Sequence, residues 1–110
     1  MQDCIFCKIA SGEIKSNIVY EDEDMVIFPD IHPQAKIHLL AVPKKHYPLI
    51  SDVDDTNLLG RMLSKISLLS EKLGLSNGYR IQINQKGALG NDAGQEVMHL
   101  HIHILGGQKL

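Results

Sequence analysis

The feature that most constrains this sequence is a regular alternation of histidine and apolar residues near its C-terminal end. From position 98 to 104 the sequence is Met-His-Leu-His-Ile-His-Ile. Because successive side chains of a β-strand point to opposite faces, His99, His101 and His103 are predicted to share one face of a final strand, Met98–Leu105. Residues two apart on a strand lie roughly 6.6 Å apart. The imidazoles are then close enough to hydrogen-bond or to engage one small anion together.

Four further segments have the composition of β-strands. The runs Ile18–Tyr20 and Met25–Phe28 flank the acidic segment Glu21–Asp24, which predicts an antiparallel hairpin. The apolar run Ile37–Val42 predicts a third strand. The strict alternation over Tyr79–Asn84 predicts a strand with one buried and one exposed face.

Two segments have the pattern of helices. Cys4–Ala10 predicts a short helix that ends before Gly12, and Asp54–Lys72 predicts one long helix that stops at Gly74. Apolar residues recur along the long segment at steps of one, three and four, as one buried stripe requires. These residues are Leu58, Leu59, Met62, Leu63, Ile66, Leu69 and Leu73. The sequence therefore predicts one α+β domain over residues 1–110, with a five-stranded, mostly antiparallel sheet, one long helix and a short N-terminal helix.

Composition excludes several classes of protein. The chain has 110 residues and a net charge of −2, so there is no long-range attraction to nucleic acid or to acidic membranes. The longest apolar runs have four residues, as in Leu39–Val42, and are far shorter than a membrane span. The start, Met1–Cys4, lacks the pattern of a signal peptide. We expect a cytoplasmic protein with no nucleic-acid or membrane partner.

Three interpretations of the histidine segment compete. The histidines are the polar face of a half-exposed strand, or they bind a catalytic metal, or the central imidazole is a nucleophile that its neighbours orient. Three adjacent imidazolium ions would repel one another, so the cluster is expected to carry fewer than three positive charges near neutral pH. A neutral imidazole nitrogen is a good nucleophile toward phosphorus, which makes the third interpretation chemically specific.

The segment His99–Leu105 resembles the signature of the histidine-triad (HIT) nucleotide-binding family. Further segments resemble the Hint branch of that family, in the same order along the chain. These are Asp30–Ala35, His38–His46, Leu73–Leu75, Gly78–Arg80 and Gly94–Val97. The resemblance implies the HIT-like fold and a homodimer. It also implies hydrolysis of nucleoside monophosphate derivatives through a nucleotidyl-histidine intermediate.

The resemblance assigns a role to each histidine of the motif. It makes His101 the nucleophile, places His103 near the phosphate and places His38 behind His103 in a proton relay; His99 is the first histidine of the triad. His38 lies in an apolar strand, where an unpaired polar group costs about 1–3 kcal/mol. A core histidine with a partner but no catalytic role is the alternative for His38.

The resemblance also implies a nucleotide site. Asp30 matches the acid that binds ribose, and Phe28 and Ile31 match the residues that enclose the purine; core packing or a simple turn are the alternatives for these positions. Asn84, the last residue of the fourth predicted strand, is also matched to the nucleotide site, whereas matches within the loop segment directly after it are not assigned. The backbone of the loop before the triad would bind phosphate, at Gly94, Gln95, Glu96 and Val97. Glu96 replaces the usual serine, so a hydroxyl contact is lost.

The two cysteines have the spacing Cys-x-x-Cys at Cys4 and Cys7, which fits zinc, free thiols or a disulfide. Two thiolates and two imidazoles complete a tetrahedral zinc site. The resemblance to bacterial HIT proteins implies that His46 and His99 complete it. The zinc would be structural, and no catalytic metal is expected.

The leading hypothesis is a hydrolase of purine nucleoside phosphoramidates or aminoacyl adenylates. One alternative is a purine nucleotide sensor or scaffold that binds AMP but turns over little substrate. The other is a metal-dependent hydrolase that uses the triad itself, which a chelator would inactivate. The sequence does not discriminate among leaving groups.

Overall fold

The computed structural model describes residues 3–110. Met1 and Gln2, where part of the expectation about a signal peptide falls, lie outside the described residues. In chain order the elements are α1 (Ile5–Ser11), β1 (Tyr20–Glu21), β2 (Met25–Pro29), β3 (Ile37–Pro43), a 3-10 turn (Ile50–Asp52), α2 (Leu58–Leu69), β4 (Tyr79–Gln82) and β5 (Ile102–Gly106). Within this part of the chain, no helix is both long and apolar enough to cross a bilayer.

The five strands form one sheet in the order β1-β2-β3-β5-β4, and every neighbouring pair is antiparallel. The α+β prediction, with one long and one short helix, is confirmed. The hairpin is confirmed too, because β1 pairs with β2, although β1 covers Tyr20–Glu21 and not the predicted Ile18–Tyr20, so the acidic turn is shorter by Glu21. In that turn the Asp22 carboxylate accepts hydrogen bonds from the backbone N–H groups of Asp24 and Met25, at 2.8 and 3.0 Å.

Each helix covers one face of the sheet. Met62 and Ile66 of α2 pack with Ile27, Leu39 and Ile104. On the other face α1 packs through Phe6 and Ile9 against the alternate residues of β2 and β3, which are Val26, Phe28, Leu40 and Val42. His38 and His103 have the parity of this second face, because their strand neighbours Leu39, Ile102 and Ile104 are buried toward α2. The α1 face is therefore where the histidines meet.

The last strand is shorter than predicted. It begins at Ile102, so His99 and His101 precede it and only His103 lies within β5. The ladder with β3 ends at the pair Ala41–Ile102. Beyond that point Pro43 has no N–H to donate, and the Leu100 N–H donates to the Tyr47 carbonyl at 2.6 Å instead. The prediction of one continuous strand was wrong there, although Leu100, Ile102 and Ile104 are fully buried as expected.

The long helix is also shorter than predicted, at Leu58–Leu69. Asp54 and Asp55 were expected in its first turn but precede it, and their carboxylates bind other side chains. Asp54 accepts hydrogen bonds from Tyr47 and Lys45, at 2.6 and 2.9 Å. Asp55 pairs with Arg61 at 2.8 Å. At the other end the chain turns through Ser70 to Gly74, whose φ of +83° suits glycine.

The strand β4 differs from its prediction in burial. Its residues Arg80, Ile81 and Gln82 are exposed, and Ile81 is 36% exposed although its alternation predicts a buried side chain. The cause is position, because β4 is an edge strand and, among the strands of residues 3–110, pairs with β5 alone. One row of its backbone groups is free to pair with another strand.

Candidate functional site

A cavity of about 390 Å³ lies on the α1 face of the sheet, where β3 and β5 meet the loop that precedes β5. His38, His101 and His103 all line it. The other lining residues are Ile5, Phe6, Ile9, Ser16, Phe28, Pro29, Asp30, Ile31, His32, Gln34, Leu40, Gln82, Asn84, Gly94, Glu96, Val97 and Leu105. This cavity is the candidate active site.

His101 is held by one hydrogen bond to the backbone. Its Nδ1 lies 2.8 Å from the carbonyl oxygen of His99. A carbonyl only accepts, so Nδ1 carries the proton and Nε2 keeps a free lone pair. The residue is 5% exposed, and no described side-chain nitrogen or oxygen is both buried and unpartnered. The lone pair of Nε2 is therefore accessible from the cavity.

His38 and His103 form a directed pair. His38 Nε2 lies 2.9 Å from His103 Nδ1, and His38 Nδ1 accepts a hydrogen bond from the backbone N–H of Gln34 at 3.0 Å. Since Nδ1 of a neutral His38 is the acceptor, its proton is on Nε2 and points to His103 Nδ1. His103 then carries its own proton on Nε2. These hydrogen bonds fix the orientation of both imidazoles. They leave the Nε2–H of His103 as the donor at the end of the pair away from Gln34.

Burial keeps His103 uncharged in the free protein. It lowers the pKa of His103 to about 4, and the neighbouring His101 and His38 rings act in the same direction, whereas Asp30 opposes them. The rings of His101 and His103 lie 5.0 Å apart between centroids. A neutral His103 this close to His101 avoids the repulsion that two adjacent imidazolium ions would have.

Asp30 stands beside the histidine pair. One carboxylate oxygen accepts a hydrogen bond from the backbone N–H of His32 at 2.9 Å, and the other lies 3.4 Å from His38 Nε2. The backbone N–H of Asp30 donates to the His38 carbonyl at 2.9 Å. These contacts fix the carboxylate at the cavity wall while leaving lone pairs free.

The loop before β5 is braced by a side chain that does not face the cavity. Gln95 is 3% exposed; its amide nitrogen donates to the carbonyls of Pro48 and Val97, and its amide oxygen accepts from the Lys86 N–H. The backbone N–H of Gln95 donates to Asn91 at 2.9 Å. Gln95 therefore holds the loop in shape and has no N–H left for a ligand.

A second group of side chains lies next to the cavity. The atoms Cys4 Sγ, Cys7 Sγ, His46 Nδ1 and His99 Nδ1 all lie within 4.8 Å of one another. Measured separations include 3.2 Å from Cys4 Sγ to His99 Nδ1 and 3.3 Å from Cys7 Sγ to His46 Nδ1. Tetrahedral zinc with two sulfur and two nitrogen ligands has neighbouring donors roughly 3.3–3.8 Å apart. The donor set fits a structural metal ion.

The tautomer of His99 agrees with that arrangement. Its Nε2 lies 2.8 Å from the carbonyl of Pro43, so the proton is on Nε2 and the Nδ1 lone pair points to the two thiols. Burial lowers the pKa of His99 to about 4 and, with the adjacent Cys4, raises the pKa of Cys7 to about 11. Both cysteines are free thiols, and a metal ion would displace a proton from each.

Phe6 joins this cluster to the cavity. It lies between the two cysteines in α1, and its ring meets His99 and His101 edge-on, with centroids 5.9 and 5.2 Å away. Its other neighbour is Phe28, at 5.6 Å. The start of α1, which carries the Cys7 thiol and is preceded by that of Cys4, therefore also packs directly against the candidate nucleophile.

Comparisons with known proteins agree with this geometry. The profile of the family described as "HIT domain" matches residues 11–110. The protein HitA of Neisseria gonorrhoeae is 45% identical over 108 residues, which are 96% of this chain and 97% of that protein. The chain belongs to the HIT family. The resemblance carried by the triad motif is thus confirmed at the level of the family.

Solved structures of HIT proteins have the same fold. A histidine triad protein from Clostridium difficile superposes with a TM-score of 0.90 at 43% identity, over 100% of this chain and 95% of that one. A HIT family hydrolase from Legionella pneumophila gives 0.87 at 44% identity, over 97% and 95%. The HIT-like fold expected from the sequence is confirmed.

Most residues predicted for the HIT site line one cavity. They are Phe28, Asp30, Ile31, His38, Asn84, Gly94, Glu96, Val97, His101 and His103. Gln95 and His99 do not line it, and His99 belongs to the thiol cluster. The sequence reasoning missed Phe6 and Gln34. Phe6 had a signal, since it lies between two candidate metal ligands, whereas nothing marks Gln34 as the backbone donor to His38.

A wider groove of about 680 Å³ lies between α2 and the first three strands of the HIT domain. It is lined in part by Lys36 and Lys72. None of the triad histidines lines it, but it shares Pro29, Asp30 and His38 with the candidate active site.

Proposed function

We propose that the chain hydrolyses purine nucleoside phosphoramidates or aminoacyl adenylates to the nucleoside monophosphate, with His101 as the nucleophile. The observation that carries this proposal is the hydrogen bond from His101 Nδ1 to the His99 carbonyl, 2.8 Å long. It leaves the Nε2 lone pair directed at the cavity, as attack on phosphorus requires. The similarity to the Legionella protein, a HIT family hydrolase, supports a hydrolytic reaction.

The nucleotide is proposed to lie along the wall of the cavity. Ile31 is 83% exposed at its mouth, and this large apolar surface together with Phe28 suits the faces of a purine. The free lone pairs of Asp30 would accept hydrogen bonds from the ribose hydroxyls. The loop at Gly94 and Val97 lies near His101 and would bind the phosphate through backbone groups.

The reaction divides into two displacements. His101 Nε2 attacks phosphorus, and the bond from phosphorus to the leaving nitrogen breaks with its electron pair kept by nitrogen. A bound phosphate favours the protonated form of the His38–His103 pair, which supplies one proton to the leaving amine. Water then attacks phosphorus, releases His101 and returns one proton to the pair. For an acyl adenylate the leaving group is a carboxylate.

The test of this proposal is His101→Ala. We expect hydrolysis of an adenosine 5′-phosphoramidate to fall by about a thousandfold or more, because the nucleophile is absent. AMP binding should remain measurable by calorimetry. The control is His32→Ala, which removes an exposed imidazole at the rim and should keep activity within about tenfold of the unaltered protein.

Two results would contradict the proposal. Full turnover by the His101→Ala variant would exclude His101 as the nucleophile. Tight AMP binding with negligible turnover by the unaltered protein would favour a nucleotide sensor instead.

We also propose that the cluster of Cys4, Cys7, His46 and His99 binds one structural zinc ion. The measured donor separations and the tautomer of His99 support this choice. Zinc bound there would tie α1 to the segment that carries the nucleophile. It supplies no step of the reaction.

The zinc proposal predicts one bound metal ion per chain and a lower melting temperature after chelation, with hydrolysis reduced but not abolished. Cys7→Ser should lose the stoichiometric zinc, measured by elemental analysis after dialysis. His32→Gln removes a histidine outside the cluster and should retain it. A Cys7→Ser protein that still binds zinc as the unaltered protein does would place the metal elsewhere.

A homodimer formed through β4 is the proposed assembly. This edge strand exposes Ile81 and has a free row of backbone groups, which a second copy would satisfy. Light scattering should then give twice the mass of the 12.2 kDa chain. A mass of one chain at micromolar concentration would contradict the dimer.

A further inference from the structure

The charges around the cavity are unusual for a site that binds a phosphate. Within residues 3–110 no lysine or arginine lines it, whereas two carboxylates, Asp30 and Glu96, do. The other titratable groups along its wall are imidazoles. Neutralising several phosphates requires cationic side chains. The cavity therefore offers only imidazoles and backbone groups to phosphate, which favours a single phosphate over a polyphosphate.

The two carboxylates differ in what they contact. Asp30 is bound to the His32 backbone and lies next to His38. Glu96 is exposed, and in the described part of the chain its carboxylate makes no hydrogen bond or ion pair. Its charge is thus not compensated by the protein, and it is available to a group bound in the cavity.

The position of Glu96 is fixed although its carboxylate is free. It follows Gln95, whose side chain is tied to Pro48, Val97 and Lys86 at 2.7, 3.2 and 2.9 Å. This brace holds the backbone of Glu96 on the loop that leads to His101. Asp30 lies on the β2–β3 connection, beside the histidine pair, so Glu96 adds a second negative charge from a different element.

We propose that Glu96 determines leaving-group specificity by charge and selects leaving groups that carry an ammonium group. This inference rests on the proposed function, because it concerns the part of the substrate that His101 displaces. The substrate class is a nucleoside phosphoramidate or acyl adenylate whose amine or amino acid retains a free ammonium ion. Anionic leaving groups, including nucleoside polyphosphates, are disfavoured at the same position.

The expected size of this selection follows from Coulomb interaction at a partly exposed site. An unscreened charge about 6 Å from a carboxylate near a protein surface changes binding by about three- to tenfold, in opposite directions for a cation and an anion. The ammonium group takes no part in bond breaking and keeps its proton throughout. The bond that breaks is still the one between phosphorus and the nitrogen attached to it. Glu96 therefore changes which substrate is preferred and does not change the two displacement steps.

Three adenosine 5′-phosphoramidates of equal chain length test the inference. Their leaving amines are 1,3-diaminopropane, 3-aminopropanol and β-alanine, which end in a cation, a neutral group and an anion. The measured quantity is kcat/KM for each substrate with the unaltered protein and with Glu96→Gln. Comparing the same substrates across proteins cancels the intrinsic difference in leaving-group reactivity.

The unaltered protein should prefer the cationic substrate over the anionic one, and Glu96→Gln should reduce that ratio by about ten- to hundredfold, since the effects on cation and anion multiply. The matched control, Glu23→Gln, removes the same charge from the exposed β1–β2 turn and should leave the ratio unchanged. The preference should also shrink as ionic strength rises. Glu96→Lys should reverse the ranking. AMP affinity and melting temperature show whether each variant is folded.

The outcomes separate this inference from the proposed function. If the unaltered protein hydrolyses the substrates but Glu96→Gln leaves the ratio unchanged, the inference is overturned and the hydrolase proposal stands. An equal fall in the Glu23→Gln control would also overturn it, because the effect would come from net charge. If none of the three substrates is hydrolysed, the proposed function fails and the inference fails with it.

Discussion

The chemistry proposed for this protein depends on one hydrogen bond, from His101 Nδ1 to the carbonyl of His99. An imidazole has two nitrogens, and only the unprotonated one is nucleophilic. The backbone carbonyl removes that ambiguity without adding a charge to the cavity. It is available because β5 begins only at Ile102, so the His99 carbonyl is not used in the sheet. The irregular backbone before the strand is therefore what fixes the tautomer of His101.

His99 connects two parts of the molecule through different atoms. Its carbonyl orients His101, its Nε2 donates to Pro43, and its Nδ1 faces the thiols of α1. Phe6, between those thiols, packs edge-on against both histidines. A metal ion in the cluster would immobilise the residue whose backbone positions the nucleophile. The structural role proposed for His99 and the catalytic role proposed for His101 therefore depend on the same short backbone segment.

The sequence predicted the sheet, both helices and most of the cavity because periodicity and the triad motif are local signals. It failed where a side-chain or tertiary contact, and not the local pattern, decides the outcome. The alternation of apolar residues and histidines over 98–104 predicts one continuous strand. The β3–β5 ladder ends at the pair Ala41–Ile102, before Pro43, and the Leu100 N–H donates to the Tyr47 carbonyl instead. Asp54 and Asp55 have the composition of a helix start, yet Tyr47, Lys45 and Arg61 bind their carboxylates. Burial of β4 depends on its place at the sheet edge, which no local pattern encodes.

The stereochemistry of hydrolysis at phosphorus tests the central claim most directly. The substrate is one stereoisomer of an adenosine 5′-thiophosphoramidate, hydrolysed in isotopically labelled water, and the configuration of the product is assigned by phosphorus NMR. Attack by His101 followed by attack by water inverts phosphorus twice, so the account predicts net retention. This result does not require the intermediate to accumulate. Net inversion would mean that water attacks phosphorus directly, and it would contradict a covalent bond between His101 and the nucleotide.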